Sequence, residues 1–434
     1  MKAIYDQPLP DGWSEEPLGK AVVTRRGYTW EKADEVDRAE ADTVPVIRIP
    51  NVQDTLDLTE LIHLRNVSPE ALEKAAVTKD WLLFVGSNGT QDRIGDSVLI
   101  EEDRPMVFAS FLIGIKPKDQ GRLRSDFFAH WMHMHLVHEI FSKTSQQTTG
   151  LANFNWGAVK KQPVRFPTCV DEQRRIAAAL KLADENIRVA KNEVAAIKEV
   201  TASLKAKVLF DVDAVNGHQA FKYASLPRGW TLHKFRNLVK YRQLGTNEVA
   251  DHGASHTPIL KMADLSFGDL SLDDVEYVDE YKAATLSDFL LACGDFLFNT
   301  RNTPELVGKS AVWNIERDRC LFNNNILRLR FDEALVIPEF MNIEFASWRG
   351  RRRLRALATG TTSVAAIYWQ DLARVSVALP DVGVQRAAVE KFAAARETQR
   401  KAEAKVAALL ELKRSLLQNL LTGKIRIPEG AIHA

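Results

Sequence analysis

Leu9-Pro10-Asp11-Gly12-Trp13, near the start of the chain, recurs as Leu226-Pro227-Arg228-Gly229-Trp230 at the start of its second half. The similarity continues in the same order along both halves. Ile94-Gly95-Asp96-Ser97 is matched by Val307-Gly308-Lys309-Ser310, and Trp156 is matched by Trp369. A unit repeated over half the chain predicts two similar domains related by an approximate two-fold axis, and therefore a partner that is itself symmetric or bipartite.

The composition excludes several classes of protein. The 434 residues suffice for two globular cores, and a net charge of +1 does not by itself indicate a polyanionic partner. No long apolar stretch predicts a membrane span, and the polar N-terminus does not resemble a signal peptide. The three cysteines, Cys169, Cys293 and Cys320, lack the spacing of a zinc site or a disulfide framework. We therefore expect a cytoplasmic protein that binds no metal and no membrane.

Each half begins with a segment that mixes short strand-like runs, turn signals and helical patches, which predicts an α+β domain. The predicted strands are Trp81–Val85, Met106–Ile115, Phe296–Phe298 and Ile326–Phe331, and the predicted helices are Phe127–Phe141 and Pro338–Leu357.

Each half ends with a long heptad pattern that has no internal proline or glycine, which predicts a pair of coiled-coil helices. The first seam is Ile176, Leu180, Ala183, Ile187, Ala190, Val194, Ile197, Thr201, Leu204 and Val208. The second seam is Ala388, Phe392, Ala395, Gln399, Ala402, Val406, Leu409, Lys413, Leu416 and Leu420. We expect the helices to pair through Ile187, Val194, Ile197, Leu204, Val406, Leu409, Leu416 and Leu420.

The connection between the halves fixes the direction of that pair. Each helix is about 60 Å long at about 1.5 Å per residue, whereas the linker 213–225 spans at most about 45 Å when fully extended. A parallel pair would require the chain to return over the whole helix length, so we predict an antiparallel pair with one domain at each end. An amphipathic helix packed on its own domain is the alternative, but it does not explain two helices of matched register. The predicted layout is a first domain at 1–166, a spacer helix at 167–212, the linker at 213–225, a second domain at 226–379, a second spacer helix at 380–422 and a C-terminal tail at 423–434.

No catalytic constellation emerges from the sequence. Phosphate-binding glycine loops, dinucleotide fingerprints and nucleophile elbows are absent from the printed chain. His130, His133, His135 and His138 are close together, but the second half has no counterpart to them, and the neighbouring Phe127, Phe128 and Trp131 favour a packed helix over a metal site. We therefore predict no catalytic residue and no metal ligand.

Polar and basic clusters occupy equivalent places in the two halves. Trp348–Arg355 contains five arginines and is followed by a hydroxyl-rich turn, while 143–150 is rich in amides and hydroxyls. A second pair of polar loops lies at 88–93 and 299–303. Arginine grips phosphates and guanine edges, and Asn and Gln read adenine. The alternative is that these are ordinary solvated loops. Clusters at equivalent positions that differ in their residues indicate two similar domains that recognise different DNA sequences.

With these features the chain resembles the specificity subunit of type I restriction-modification enzymes. The resemblance is carried by Leu-Pro-x-Gly-Trp at the start of each half, by Trp156 and Trp369, and by Phe166–Gln173 leading into a long helix. It is carried also by Leu416-Leu417-Gln418-Asn419-Leu420-Leu421-Thr422-Gly423-Lys424-Ile425-Arg426. The chain departs from the pattern at Val384-Gln385, where Glu-Gln is usual, and at Leu209-Phe210-Asp211, where the first helix ends.

The resemblance implies that each α+β half is a target recognition domain that reads one half of a split sequence in double-stranded DNA. The helices then set the spacing and dock modification (methyltransferase) subunits, usually two, which restriction subunits join. It implies that S-adenosylmethionine belongs to the modification subunit, and ATP and Mg²⁺ to the restriction subunit, with no cofactor on this chain. We expect DNA contacts from Asn88, Gln91, Arg93, Lys143, Gln146 and Gln147 in the first domain, and from Arg301, Asn302, Arg351, Arg352, Arg353, Thr361 and Ser363 in the second.

Three other functions remain open at this point. One is the specificity subunit of a fused restriction system outside type I, which the sequence barely separates from the first reading. The second is a coiled-coil scaffold that binds only proteins. The third is a self-sufficient nuclease or methyltransferase, whose motifs the chain lacks.

Overall fold

The structure is a computed structural model of the chain. It describes residues 5, 7–53, 55–88, 93–134, 137, 139, 146–148, 151–153, 155–208, 226, 228–250, 256–315, 319–361 and 363–430. For residues 88, 146–148, 151–153 and 205–208 the description covers the backbone alone.

The chain divides into two compact units. Unit 1 comprises Met1–Asn192 with Glu403–Ala434, and unit 2 comprises Glu193–Ala402. The division falls inside both long helices, so each unit contains one α+β domain together with part of each helix. The structure therefore groups the helix halves with the domains, where the sequence layout sets the helices apart as separate spacers.

Unit 1 contains short strands and helices. Its strands are β1 (Trp13–Pro17), β2 (Val22–Arg26), β3 (Glu35–Val36), β4 (Val44–Ile47), β5 (Ile62–Leu64), β6 (Ala76–Val77), β7 (Leu82–Val85), β8 (Ser87–Asn88), β9 (Ser97–Leu99), β10 (Arg104–Phe108), β11 (Leu112–Pro117), β12 (Gln146–Thr148), β13 (Leu151–Asn153) and β14 (Pro163–Pro167). Its helices are α1 (Leu18–Ala21), α2 (Pro69–Lys74), α3 (Ser125–Met132), α4 (Trp156–Val159) and the first part of α5 (Val170–Val208).

Unit 2 is built in the same way. Its strands are β15 (Trp230–Lys234), β16 (Val239–Leu244), β17 (Thr257–Leu260), β18 (Glu276–Val278), β19 (Asp295–Asn299), β20 (Arg301–Asn302), β21 (Ser310–Trp313), β22 (Leu321–Phe322), β23 (Ile326–Phe331), β24 (Thr359–Gly360), β25 (Ala365–Ala366) and β26 (Ser376–Pro380). Its helices are α6 (Phe235–Leu238), α7 (Glu280–Ala284), α8 (Pro338–Ala346), α9 (Trp348–Leu357), α10 (Trp369–Leu372) and the first part of α11 (Val382–Leu420).

Three sheets of each unit have matching topologies, whereas the fourth has five strands in unit 1 (β3-β5-β4-β10-β6) and three in unit 2 (β18-β17-β22). A four-stranded sheet has the order β2-β11-β7-β9 in unit 1 and β16-β23-β19-β21 in unit 2. A three-stranded sheet has the order β12-β13-β8 in unit 1 and β24-β25-β20 in unit 2. The strands β7 and β19 are buried along their whole length, as expected of strands covered on both faces; β7 is entirely apolar, and β19 has an apolar centre between Asp295 and Asn299. The internal repeat of the sequence is thus a repeat of the α+β fold.

The repeated Leu-Pro-x-Gly-Trp motif begins the first strand of each unit. Gly12 and Gly229 have φ of 75° and 84°, a conformation that favours glycine, and the chain turns there into β1 or β15. Trp13 then lies opposite Pro167 in the β1–β14 pair, and Trp230 lies opposite Pro380 in the β15–β26 pair. The motif and the proline before each long helix therefore recur together because they form one two-stranded ladder.

A buried glutamine joins each long helix to its domain. Gln173, with no exposed surface, donates from Nε2 to the carbonyls of Arg122 and Pro167, both at 2.7 Å, and accepts from the Arg124 amide at 2.9 Å. In unit 2, Gln385 is also fully buried. It donates to the carbonyls of Leu335 (2.9 Å) and Pro380 (2.8 Å) and accepts from the Ile337 amide at 3.0 Å. Each glutamine thereby ties the start of a long helix to the segment that leads into α3 or α8. We call these two sets of bonds the glutamine joints.

Burial along α5 and α11, each 39 residues long, follows the predicted 4-3 spacing. Between the seam positions, large apolar side chains such as Leu182, Val189 and Val200 are 59%, 58% and 67% exposed. Of the predicted pairing residues, Ile187 and Leu420 are buried, and Val194, Ile197, Leu204, Val406, Leu409 and Leu416 are partly buried.

In unit 1 the start of α5 packs against the end of α11. Ile176 and Leu180 share a core with Leu417 and Leu420. Asp184, further along α5, pairs with Lys413, which lies earlier on α11. Partners on α11 thus come earlier as α5 proceeds, so the two helix segments of unit 1 are antiparallel.

Three predicted elements differ in detail from the structure. Met106–Ile115 is not one strand, because Leu112 donates its amide to the Ala109 carbonyl (2.9 Å) in a turn between β10 and β11. The predicted helix Pro338–Leu357 breaks at Ser347, whose Oγ accepts from the Gly350 amide at 2.9 Å and caps α9. The long helices begin at Val170 and Val382 rather than at 167 and 380, because Pro167 and Pro380 end β14 and β26.

Candidate functional site

The three-stranded sheet of unit 2 brings the two polar clusters of that unit together. Strand β20 carries Arg301 and Asn302, and β24 leads into the hydroxyl-rich turn after Gly360. Both strands pair with β25, which lies between them. Two clusters that are far apart in sequence therefore become neighbouring strands of one small sheet.

Buried amides hold Arg301 and Asn302 in place. The Asn299 side chain is fully buried and donates from Nδ2 to the Arg301 carbonyl (3.0 Å) and to the Asn325 carbonyl (3.1 Å). Asn302 donates from Nδ2 to Asn299 Oδ1 at 2.9 Å. The Arg301 side chain is exposed. Asn302 is thus occupied in the fold, whereas Arg301 extends outward from a fixed backbone.

The β24–β25 hairpin presents hydroxyl groups at its tip. Gly360 has a φ of 148°, and a Cβ at this position would lie 2.2 Å from the Val364 carbonyl oxygen, so only glycine fits. The Thr361 amide donates to that same carbonyl at 2.8 Å. Thr361 and Ser363 are exposed, with their hydroxyl oxygens 3.3 Å apart. Both predicted contact residues on the hairpin therefore face solvent.

The arginine-rich helix α9 has an inner and an outer face. On the inner face, Arg349 and Arg353 each have a side chain only 10% exposed, and both pair with the buried carboxylate of Glu344 at 2.8 and 3.3 Å. On the outer face, Arg351 and Arg352 are exposed, and their guanidinium carbons lie 5.2 Å and 5.4 Å from the ring centroids of Phe267 and Trp348. The sequence groups Arg353 with the DNA contacts, but the structure turns it inward to neutralise Glu344.

Helix α9 lies over the loop that follows β20. Arg355 approaches Glu305 of this loop at 3.6 Å, and a Cβ added at Gly308 would lie 3.3 Å from the Leu354 Cβ. Helix α9 also leads directly into β24. The outer arginines and the small sheet thus belong to one continuous region of unit 2.

The equivalent small sheet of unit 1 contains several of the residues predicted to contact DNA. Asn88 lies on β8, and Gln146 and Gln147 lie on β12, with β13 pairing to both strands. Gln91 and Lys143 lie outside the described residues. The backbone of unit 1 therefore brings its two predicted clusters together as in unit 2.

Arg93, predicted as a DNA contact, makes bonds within unit 1. Its Nε donates to Asp96 Oδ2 at 3.0 Å, and a terminal nitrogen donates to the Val52 carbonyl at 2.6 Å. The side chain is 34% exposed. These bonds hold the loop before β9 against the segment around Val52, and they occupy much of the donor capacity of the guanidinium.

Sequence reasoning did not identify all the exposed groups of this region in unit 2. Thr359 on β24 is exposed, and so are Val364 (58%), Trp348 (62%) and Tyr368 (53%). Each of these residues is adjacent in sequence to a predicted cluster, and this was the signal that could have identified it. The sequence does not show that β20 pairs with β25.

Of the histidine cluster, His130 is buried in unit 1 and His133 is partly buried. Burial lowers the pKa of His130 to about 4, and its Nδ1 lies 3.9 Å from Asp184 Oδ2. The ring Nε2 of His133 lies 2.8 Å from the Ser97 carbonyl oxygen. His135 and His138 lie outside the described residues. Within the part of the chain that the structure describes, no group of three His, Cys, Asp or Glu side chains is arranged to hold a metal. No helix in that part is long and apolar enough to cross a membrane.

Comparison with known proteins reveals relatives along nearly the whole chain, although no protein-family model matches it. The EcoKI type I restriction enzyme specificity subunit of Escherichia coli (strain K12) is 23% identical over 429 residues, covering 96% of this chain and 90% of the relative. The StySPI specificity subunit of Salmonella potsdam is 20% identical, covering 96% and 90%. The MjaVIII specificity subunit of Methanocaldococcus jannaschii is 20% identical, covering 98% and 96%.

Solved structures match the fold over the same length. The type I restriction-modification S subunit from M. genitalium has a TM-score of 0.60 at 11% identity, covering 96% of this chain and 98% of the other. A chain from a structural study of assembly and conformational transition in the type I R-M system has a TM-score of 0.56 at 15% identity, covering 96% and 100%. The resemblance predicted from the sequence and the predicted α+β fold are thereby confirmed.

Proposed function

We propose that this chain, similar to type I restriction enzyme specificity subunits over nearly its full length, is the DNA-recognition subunit of a type I restriction-modification complex. Each α+β unit is a target recognition domain that binds one half of a bipartite sequence in double-stranded DNA. The chain itself performs no catalysis, consistent with the absence of catalytic motifs from its sequence.

The observation that carries this proposal is the small sheet that recurs in both units. In each unit it joins two polar segments that are distant in sequence, and the residues on its strands differ between the units. A copied scaffold with different residues at equivalent places suits two readers of two different half-sites. A scaffold that binds only proteins would not require this arrangement twice.

The basic groups of unit 2 suit contact with a phosphate backbone. Arg351 and Arg352 are exposed, and in the described structure their side chains make no ion pair. Cations of this kind bind DNA by displacing counterions, a contribution that does not depend on sequence. Since the net charge is only +1, we expect the partner subunits to supply much of the remaining phosphate contact.

The long helices serve as the spacer and as the docking site for the partners. We propose that they set the distance between the half-sites and bind the modification subunits, two per complex, which restriction subunits then join. S-adenosylmethionine is bound by the modification subunit, and ATP and Mg²⁺ by the restriction subunit.

The experiment that tests the recognition role is the sequencing of methylated bases in cells that express this chain with its modification subunit. We expect one bipartite motif with a fixed gap. The double variant Arg351→Ala/Arg352→Ala should lower methylation at all sites, whereas Arg236→Ala, which removes an exposed arginine on α6, outside the long helices and the small sheet, should not. A complex that assembles but methylates no defined motif would overturn the proposal.

The spacer role is tested on the seam of α5. Leu204 is a partly buried seam residue, whereas Ser287 is an exposed residue outside the long helices. We expect Leu204→Glu to weaken co-purification of the modification subunit and to make the gap of the motif variable, while Ser287→Glu leaves both unchanged. An intact complex with an unchanged gap in the Leu204 variant would contradict this role.

A further inference from the structure

One register row of the small sheet has the same layout in both units. In unit 2, Ala366 of β25 lies opposite Arg301 of β20 on one side and Thr359 of β24 on the other. In unit 1, Ala152 of β13 lies opposite Asn88 of β8 and Gln147 of β12. Each row therefore has an alanine at its centre and, on both flanks, residue types that form hydrogen bonds. We call them the alanine rows.

In unit 2 the alanine row places two exposed side chains on either side of a buried alanine. Residues opposite each other on paired strands point to the same face of a sheet, so Arg301, Ala366 and Thr359 share one face. Arg301 and Thr359 are exposed, whereas Ala366 between them is buried. The Thr359 hydroxyl donates to the Ala366 carbonyl at 3.4 Å. The row thus presents a guanidinium and a hydroxyl on one face of the sheet, and both groups can bind the edge of a base pair.

The backbone under Arg301 is fixed from several sides. Besides the bond from buried Asn299 to the Arg301 carbonyl, the Ile367 amide donates to the Thr300 carbonyl at 2.9 Å, and the Thr300 amide donates to the Asn325 carbonyl at 2.8 Å. Reading a base requires such placement, whereas holding a phosphate requires mainly charge.

The guanidinium of Arg301 is also available. Among the described residues it makes no hydrogen bond or ion pair and lies over no aromatic ring. Arg351 and Arg352 differ, because they lie on a helix and pack against Phe267 and Trp348. This region of unit 2 thus contains two kinds of exposed arginine: Arg301 on a fixed strand, and Arg351 and Arg352 on the outer face of α9.

From this difference we infer that the alanine row is the base-reading element of unit 2, and that Arg301 donates a two-pronged pair of hydrogen bonds to O6 and N7 of a guanine. The inference rests on the proposed function and assigns the base. An arginine fork matches the two acceptors on the major-groove edge of guanine, and adenine offers a donor at one of those positions.

The first test compares the methylated motifs of Arg301→Ala, Arg301→Lys and Arg351→Ala in the complete complex. We expect Arg301→Ala to relax one G·C position in a single half-site, with discrimination there falling by roughly ten-fold or more, while the other half-site is unchanged. Arg301→Lys keeps the charge and should restore the overall level of methylation without restoring full discrimination. Arg351→Ala should lower the level and leave the motif intact.

The second test uses the wild-type complex and the duplex that the motif defines. Replacing each guanine in turn by 7-deazaguanine removes the N7 acceptor and nothing else from the major-groove edge. At one guanine we expect a loss of affinity for the wild type that disappears in Arg301→Ala. Equal losses for both proteins at every guanine, or a half-site in which Arg301→Ala relaxes no G·C position, would overturn the inference. If the wild-type complex recognises no motif at all, it is the proposed function that fails.

Discussion

The glutamine joints and the small sheets differ in how alike they are between the two units. Gln173 and Gln385 make the same three hydrogen bonds to equivalent backbone groups. The small sheets share strand order and an alanine row, yet Asn88 and Gln147 in one stand where Arg301 and Thr359 stand in the other. The joints support the fold, and the sheets hold the residues that vary. We therefore expect substitutions at the joints and at other buried polar contacts, which we call the frame, to lower stability without altering the DNA sequence preference. Substitutions in the small sheets should alter the sequence preference without lowering stability.

The largest effect on stability is expected from Glu344, which belongs to the frame of unit 2. Glu344→Gln removes the buried negative charge that pairs with the guanidinium groups of Arg349 and Arg353. Breaking a buried ion pair in this way costs about 4 kcal/mol of the free energy of unfolding. Urea denaturation of the chain measures it, with Glu397→Gln, at an exposed pair with Arg400, as the control. A loss below about 1 kcal/mol would contradict the inward role of the two arginines.

The two glutamine joints should contribute equally to the free energy of unfolding. Gln173→Leu or Gln385→Leu leaves one amide and two carbonyls without their partner, and each variant should lose about 3 kcal/mol of unfolding free energy. Arg174→Ala, which removes an exposed side chain next to the first joint, should change it by less than about 0.5 kcal/mol. A large loss at only one of the two glutamines would break the equivalence.

Much of the fold was predictable because local sequence patterns encode it. The repeat predicts two similar domains, and the seam from Ile176 to Leu204 follows the 4-3 spacing that the structure buries. The break at Ser347 was not predicted, because the apolar and basic pattern continues through this residue. Only the structure shows that Ser347 caps a new helix by accepting from the Gly350 amide. The turn at Ala109 was missed for a similar reason, since no glycine or proline marks it.

The candidate site was predictable by location but not by orientation. The arginine run points to a basic surface, yet the sequence does not show that Glu344 draws Arg349 and Arg353 inward and leaves Arg351 and Arg352 outside. The alanine rows depend on the pairing of β25 with β20, strands separated by more than sixty residues, and no local periodicity encodes that register.

A pH-dependent difference between the units is expected from His130 in unit 1. Its pKa is lowered to about 4, mainly by burial and also by the charges of His133 and Lys413, while Asp184 and Asp126 oppose the shift. An unfolded histidine has a pKa of about 6.5, so below this pH the unfolded chain binds a proton that the folded chain excludes. The free energy of unfolding is therefore unaffected by His130 above about pH 6.5 and falls as the pH decreases from about 6.5 to about 4. The decrease from pH 7 to pH 5 is about 2 kcal/mol.

Unit 2 has Ile343 at the corresponding place on α8, where no such titration occurs. We expect His130→Leu to flatten the pH dependence of unfolding between pH 7 and 5, and His256→Leu, at an exposed site, to leave it unchanged. Chemical denaturation at a series of pH values measures this. An equally steep loss in the His130 variant would assign the effect to other groups.

The smallest effect on stability, and the one that most directly concerns the surface, is expected from Arg351. Arg351→Ala removes an exposed cation, so unfolding should change by less than about 0.5 kcal/mol. If this cation holds a phosphate, the affinity of the complete complex for DNA falls several-fold on all sequences. The slope of log affinity against log salt becomes shallower by about one unit. Arg353→Ala, two residues away, should act oppositely and lower stability, because its guanidinium pairs with buried Glu344. Fluorescence anisotropy across a salt series distinguishes the two variants. If Arg351→Ala lost affinity only for DNA that has one particular base pair, Arg351 would instead be a base-contacting residue.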